Sequence, residues 1–216
     1  MTLIVLRPQP GADATAARAR ALGLAAVVAP LFDIVARPWS PPPGRFDAVL
    51  LTSANAPRAL GQAPEGLARL PAYAVGAATA AAARAAGFAT VVAGASDVAD
   101  LVRDAAGAGV ATMLHLAGAD RTRFDPGPIA ITTRIVYAAE AVDPAPRLPP
   151  APAVALLHSG RAARRFREVA GPVGGYAIAA ISAKVAAAAG DGWRAVAIAA
   201  RPDDDALLAA AAGLCQ

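Results

Sequence analysis

Short apolar runs alternate along this chain with Ala-rich stretches of helical period, and glycine closes several of the latter. Strands alternating with helices predict βαβ units and parallel sheets with right-handed crossovers. The first series reads strand 3–6, helix 11–23 stopped by Gly23, strand 25–29, and an extended run over 31–37. A second reads strand 47–52, helix 54–60, strand 72–76, helix 77–86 closed by Gly87, strand 89–92, helix 97–106 and strand 111–116. The next helix of this rhythm is missing: Pro126 and Pro128 argue for a loop, and an extended run follows at 132–138. The third series reads strand 153–158, helix 160–169, strand 175–180, helix 182–189, strand 194–199 and helix 203–213. Its Asp203-Asp204-Asp205 reads as an N-cap with acidic first-turn residues rather than a metal site.

Two proline-rich stretches, 38–43 and 144–152, divide the series, and each adjoins an extended run. The first β-α-β is too small to hold a core alone, so it is expected to join the third series. The expected fold is α/β, with two parallel-sheet domains, one of them discontinuous, joined by a two-stranded linker. The expected boundaries are 1–36 plus 145–216 for the discontinuous domain and 44–131 for the other. Residues 37–43 and 132–144 serve as the connections, with 31–37 and 132–138 side by side.

Composition narrows the function classes. Hydrophobic residues make up 56% of the 216, with mean hydropathy +0.46, but much of this is alanine. Gly, Pro, Arg or Asp breaks each apolar run well short of the ~20 residues that a spanning helix needs. The start, Met1-Thr2-Leu3-Ile4-Val5-Leu6-Arg7, has its charge after the apolar run, the reverse of a secretory signal, so a cytoplasmic protein is expected. Cys215 is the single cysteine, and His115 and His158 are the two histidines. That excludes an internal disulfide and argues against a metal centre. Both histidines follow apolar runs and read as structural. Net charge is +4 and the pI about 10.0, carried by arginine, with Lys184 the one lysine. Arginine suits bidentate binding of carboxylates. Aromatic content of 5% and the lack of a basic run argue against a nucleic-acid binder. No G-x-G-x-x-G follows the first strand and no Walker A lysine is present, which argues against a nucleotide-dependent enzyme.

Three phrases share one grammar, an apolar run, a tight Ser/Thr/Gly turn, then a helix. They are Leu50-Leu51-Thr52-Ser53-Ala54-Asn55, Ala74-Val75-Gly76-Ala77-Ala78-Thr79 and Leu156-Leu157-His158-Ser159-Gly160-Arg161. Each places hydroxyls and backbone N–H groups at the carboxyl end of a strand, where open α/β sheets bind ligands and helix N-termini favour anions. The expected binding residues are Ser53, Ala54 and Asn55, then Gly76 and Thr79, then Ser159, Gly160 and Arg161, with Ser182 opening a later helix. Arg7 ends the first strand, and Gly118 and Arg121 end another. Arg164 and Arg165 read as a solvated face.

The order and spacing of these phrases resemble the uroporphyrinogen-III synthase family over essentially the whole chain. The carrying residues are Arg7-Pro8 with Gly11 and Thr15-Ala16; Ala29-Pro30-Leu31; Leu51 to Ala56; Ala74 to Ala80 with Ala85-Ala86-Gly87-Phe88; and Leu116 to Arg121. Val136-Tyr137, Leu157 to Ala162, Ile181-Ser182, and Arg201-Pro202 leading to Ala206-Leu207-Leu208 complete the set. The resemblance implies a lyase of tetrapyrrole (haem) biosynthesis. It would cyclise hydroxymethylbilane to uroporphyrinogen III with inversion of the last pyrrole ring, ring D, and loss of water, using no cofactor and no metal. It also implies a monomer whose small-molecule substrate comes through transient contact with the preceding enzyme, and no nucleic-acid or membrane partner. Tyr137 matches the family's linker-strand tyrosine, so the resemblance makes its phenol a donor to the departing hydroxyl. The substrate's eight carboxylates suit the arginines and helix N-termini above. Two positions depart from the family pattern: His158 stands where Thr or Ser is usual, and Lys184 falls where hydroxyl pairs are common. The alternative on the residues alone is a non-catalytic two-domain hinge protein that binds a small polyanion.

Overall fold

The computed structural model describes residues 1–94, 97–121 and 123–215. Gln216, expected to close the discontinuous domain, lies outside them. The chain forms two compact units, residues 1–33 with 140–216 and residues 34–139.

The discontinuous unit is built on a five-stranded, all-parallel sheet. Its strands are β1 (Thr2–Val5), β2 (Ala26–Val28), β9 (Ala153–Leu157), β10 (Tyr176–Ala180) and β11 (Ala195–Ile198), in the order β11-β10-β9-β1-β2. Every residue of β9 and β10 is buried, as the unbroken apolar runs require of strands covered on both faces. On one face α1 (Gly11–Ala21) and α8 (Asp204–Cys215) pack alanines and leucines (Ala16, Ala19, Leu207, Leu208) onto Leu3, Val5, Val154 and Leu156. Helices α6 (Gly160–Val169) and α7 (Ala183–Ala189) pack closely against each other. A methyl on Gly160 would stand 3.2 Å from Ala188 Cβ, so this glycine lets the two helices approach. Phe166 stacks on Trp193 at 5.4 Å and meets Tyr176 edge-on at 5.7 Å.

The contiguous unit has a six-stranded sheet. Its strands are β3 (Phe32–Ala36), β4 (Ala48–Leu51), β5 (Ala72–Val75), β6 (Val91–Gly94), β7 (Thr112–Gly118) and β8 (Ala130–Ala141), in the order β3-β8-β7-β4-β5-β6. From β8 to β6 every pairing is parallel. The side-chain period of two splits the central strands between the two faces. Val49, Leu51, Leu114 and Leu116 join α4 (Ala77–Ala85) and Phe88 on one face. Ala48, Leu50 and Met113 join α5 (Val98–Gly107) on the other. Asp97 caps α5 by accepting from the Ala99 and Asp100 N–H groups. Helix α2 (Asn55–Leu60) follows β4. A one-turn helix, α3 (Glu65–Ala68), was not expected, because Pro64-Glu65-Gly66 carries no periodic signal.

The two extended runs are neighbours, as the pattern predicts. The Arg37 N–H donates to Val136 O and the Val142 N–H donates to Leu31 O, so β3 and β8 run antiparallel. They also do more than connect. β8 pairs with β7 from Ala130 to Tyr137, which makes it part of the six-stranded sheet. The chain passes between the units at Asp33/Ile34, inside β3, and at Ala139/Glu140. The proline-rich run after β3 belongs to the contiguous unit, where Trp39 and Phe46 pack on its core.

Candidate functional site

In an open parallel sheet the ligand crevice opens where the strand order reverses, beyond the carboxyl ends of the strands. The six-stranded sheet reverses between β4 and β7, since β5 and β6 lie to one side of β4 while β7 and β8 lie to the other. There a pocket of about 340 Å³ is lined by Thr52 and Ser53 after β4, Gly118 at the end of β7, Asp120 and Arg121 just beyond it, and Phe124 and Tyr137. Val75, Asp97 and Val98 complete it. A hollow of about 390 Å³ under Pro41–Phe46 has Arg45 as its one ionisable lining group, so the strand-end pocket is the better candidate for chemistry.

Tyr137 is 9% exposed, and the sequence around it explains its position. The β7–β8 ladder shifts register after Ala117, so Gly118 stands opposite Tyr137. The phenol occupies the gap that glycine leaves: a Cβ on Gly118 would meet Tyr137 Cζ at 2.6 Å and its hydroxyl at 2.8 Å. The Ala119 N–H donates to Tyr137 O at 2.9 Å and locks the pair. Among the described residues the phenol has no protein hydrogen-bond partner. Ser53 Oγ accepts from the Asn55 N–H at 3.2 Å and so opens α2. Thr52 Oγ1 is hydrogen-bonded to His115 Nε2 at 3.1 Å. His115 is 2% exposed and touches Phe124 edge-on at 5.7 Å. Burial, and then the charge of Arg121, pull its pKa from 6.5 down to about 4, so its imidazole is neutral at physiological pH.

The five-stranded sheet reverses between β1 and β9, and its crevice holds a different arrangement. Asp204, in the first turn of α8, accepts hydrogen bonds from Thr15 Oγ1 at 2.8 Å and Arg18 Nη1 at 3.0 Å. It also contacts His158 Nε2 at 2.7 Å and Arg7 Nη1 at 3.5 Å. Burial pushes its carboxyl up, but the hydrogen bonds from His158 and Thr15, with the positive charges beside it, hold it below the usual carboxylate range. The N-cap expected of this aspartate run is supplied by Asp203, which accepts from the Ala206 N–H at 2.8 Å. Ser159 and Ser182 cap α6 and α7 by accepting from the Ala162 and Val185 N–H groups. The Arg161 guanidinium lies 4.4 Å above the Phe32 ring.

Of the residues read from sequence, the strand-end pocket of the contiguous unit brings together Ser53, Gly118, Arg121 and Tyr137. Ala54, Asn55 and Gly76 are not among its lining residues, and Thr79, 5% exposed, faces the core. Gly76 keeps a conformational role: at φ +79 it starts α4 in a backbone region that favours glycine. In the discontinuous unit, Arg7 belongs to the Asp204 network, while Ser159, Gly160, Arg161 and Ser182 sit at helix starts. Sequence reasoning missed Thr52, Asp120, Phe124, Asp204 and the structural partnerships of both histidines. Among the described residues no three His, Cys, Asp or Glu side chains are placed to hold a metal ion, and no helix is long and apolar enough to cross a membrane.

These observations define a two-unit, parallel-sheet α/β protein with hydroxyl- and arginine-bearing turns at the reversal point of each sheet. The family model for uroporphyrinogen-III synthase, HemD, matches residues 13–209, and the chain belongs to that family of cyclising lyases in tetrapyrrole biosynthesis. Its fold is similar to that of a uroporphyrinogen-III synthetase from Helicobacter pylori. The two are 18% identical over 99% of this chain and 98% of that one, with a TM-score of 0.69. A uroporphyrinogen III synthase of Thermus thermophilus aligns over 100% of both chains at 14% identity and a TM-score of 0.38. No curated protein matches the chain in sequence.

Proposed function

We propose that the pocket at the β4–β7 reversal holds the reacting end of hydroxymethylbilane and that Tyr137 is its catalytic residue. The observation that carries this reading is the phenol seated on Gly118 beside Ser53 and Arg121, with no protein partner of its own among the described residues. The substrate's terminal C–O bond breaks while the Tyr137 hydroxyl donates a hydrogen bond to the departing oxygen; the pyrrole nitrogen gives up its proton as its lone pair pushes the oxygen out, so one water leaves and an azafulvene remains. The resulting azafulvene is electron-poor and needs little further acid–base help. What remains is to favour closure through a spiro intermediate, which inverts ring D, over head-to-tail closure. That task rests on positioning. In the contiguous unit Ser53, Arg121 and the backbone N–H groups of their turns bind carboxylates of the substrate; the discontinuous unit offers groups of the same kind in Arg7, Ser159, Arg161 and Ser182. Ala54, Asn55, Gly76, Thr79 and Gly160 support these turns through their backbone. The protein works without a cofactor, as a cytoplasmic monomer that takes its unstable substrate from the preceding enzyme.

The direct test is incubation with freshly generated hydroxymethylbilane and separation of the uroporphyrinogen isomers; only type I in the product would sink the reading. Ser53→Ala and Ser159→Ala are each expected to weaken product binding by about 1–2 kcal/mol, the scale of one hydrogen bond to a charged group. Titration of product by fluorescence or calorimetry measures this. Complete loss of turnover in folded Ser53→Ala would instead make Ser53 a chemical participant. Turnover is expected to survive prolonged chelation, and an activity lost to chelator and restored by a divalent ion would contradict a reaction run by these side chains alone.

A further inference from the structure

His115 sits at the centre of a parallel sheet, where an aliphatic residue would pack without polar cost. A buried imidazole is tolerated when its polar atoms are bonded, and this one spends its Nε2 on Thr52, whose hydroxyl lines the strand-end pocket. Leu50 pairs with His115 across the β4–β7 ladder, so Thr52 emerges from its strand just beyond that histidine. Phe124 meets the imidazole edge-on at 5.7 Å and also lines the pocket. The side chain is neutral at physiological pH, so it orients a hydroxyl without adding charge to a site that already carries Arg121.

We propose that His115 is a positioning residue: it holds the Thr52 hydroxyl in one orientation in the pocket that contains Ser53 and Tyr137. This rests on the reading of that pocket as the place where the substrate reacts. A hydroxyl bonded to Nε2 has one direction taken, whichever partner supplies the proton, and its remaining hydrogen-bonding capacity faces the pocket. Thr52 then meets the reacting end of the substrate in a fixed pose instead of rotating among three staggered positions. The geometry therefore assigns Thr52 a direct contact with substrate and His115 an indirect one.

The test is a double-mutant cycle on the intact protein, with isomer-resolved turnover, KM and thermal stability measured for each variant. His115→Phe keeps a ring against Phe124 and removes the bond to Thr52; Thr52→Val keeps the shape and removes the hydroxyl. Thr52→Val is expected to lower kcat about tenfold and His115→Phe about fivefold, with KM changed by less than about twofold, because a misplaced contact costs rate before affinity. The double variant is expected to be no slower than Thr52→Val, since the two residues act as one unit. Thr52→Ser is expected to restore most of the lost rate. Independently of turnover, the His115 ring nitrogen resonances should move in Thr52→Val. Additive losses in the double variant would overturn the proposal. So would wild-type kcat in either single variant, or unmoved resonances. If His115→Phe fails to fold, Thr52→Val, its Thr52→Ser rescue and the resonances still decide. Failure of the underlying reading looks different: the unmodified protein would then make no uroporphyrinogen III at all.

Discussion

Tyr137→Phe is expected to fold normally, retain product binding, and form uroporphyrinogen III roughly 10- to 100-fold more slowly, at the low end of general acid effects. The phenyl ring still covers Gly118, so the register of β7 against β8 is preserved and only the hydroxyl is lost. The size of the effect follows from the substrate. A hydroxymethyl group on a pyrrole departs readily, so a donor contributes one or two powers of ten and no more. Slower enzymatic closure leaves time for unassisted closure in solution, so the type I fraction should rise as the rate falls. Quenched-flow turnover with chromatographic isomer analysis measures both at once. Wild-type rate and isomer ratio in this variant would reduce Tyr137 to a packing residue and leave positioning as the whole of catalysis.

The second large effect concerns acid stability. An unfolded chain protonates His115 near pH 6.5, whereas the native protein does so only near pH 4. Between those values the unfolded state binds more protons, so lowering pH favours unfolding; above pH 6.5 the contribution is flat. Across the whole window it amounts to about 3 kcal/mol lost. Denaturant midpoints at pH 7.5 and pH 4.5 should therefore differ markedly in the unmodified protein, and His115→Phe should flatten that slope. An identical slope in the variant would show that other groups control the acid limb. Asp204 acts in a separate window. Its carboxyl is held low in the folded state, so its stabilisation is intact above the ordinary value of 3.8 and disappears as pH falls further.

The strands and helices were legible because this chain marks them with unbroken apolar runs and with glycines at helix ends such as Gly23 and Gly87. The reversal of strand order was not, since nothing in β4 or β7 states which strand lies beside which. That limit explains what was missed at the site. Thr52 and His115 are 63 residues apart and become neighbours only when the two strands pair. Asp204 hides inside an aspartate run that reads as a helix start, and one member of the run does cap α8, but the next turns inward. Gly76 and Thr79 share the grammar of Ser53, yet helix phase carries Thr79 into the core. Turn composition can thus nominate a strand end, while the rotation of the following helix selects which side chain faces the crevice.

The interleaved chain path sets the order in which the protein can be made. The unit spanning 34–139 is continuous, so every strand it needs has been synthesised before β9 is translated. The first 33 residues are in the opposite position. Leu3 pairs with Ala26 early, but its other neighbour, Val154, arrives only after the whole intervening unit. Until then β1 has one strand beside it and no α8 over Leu3 and Val5, so its apolar surface stays open. Long-range parallel pairing is slow, and exposed strand edges invite aggregation. The nascent N-terminal βαβ is therefore the segment that would call on a holding chaperone during synthesis.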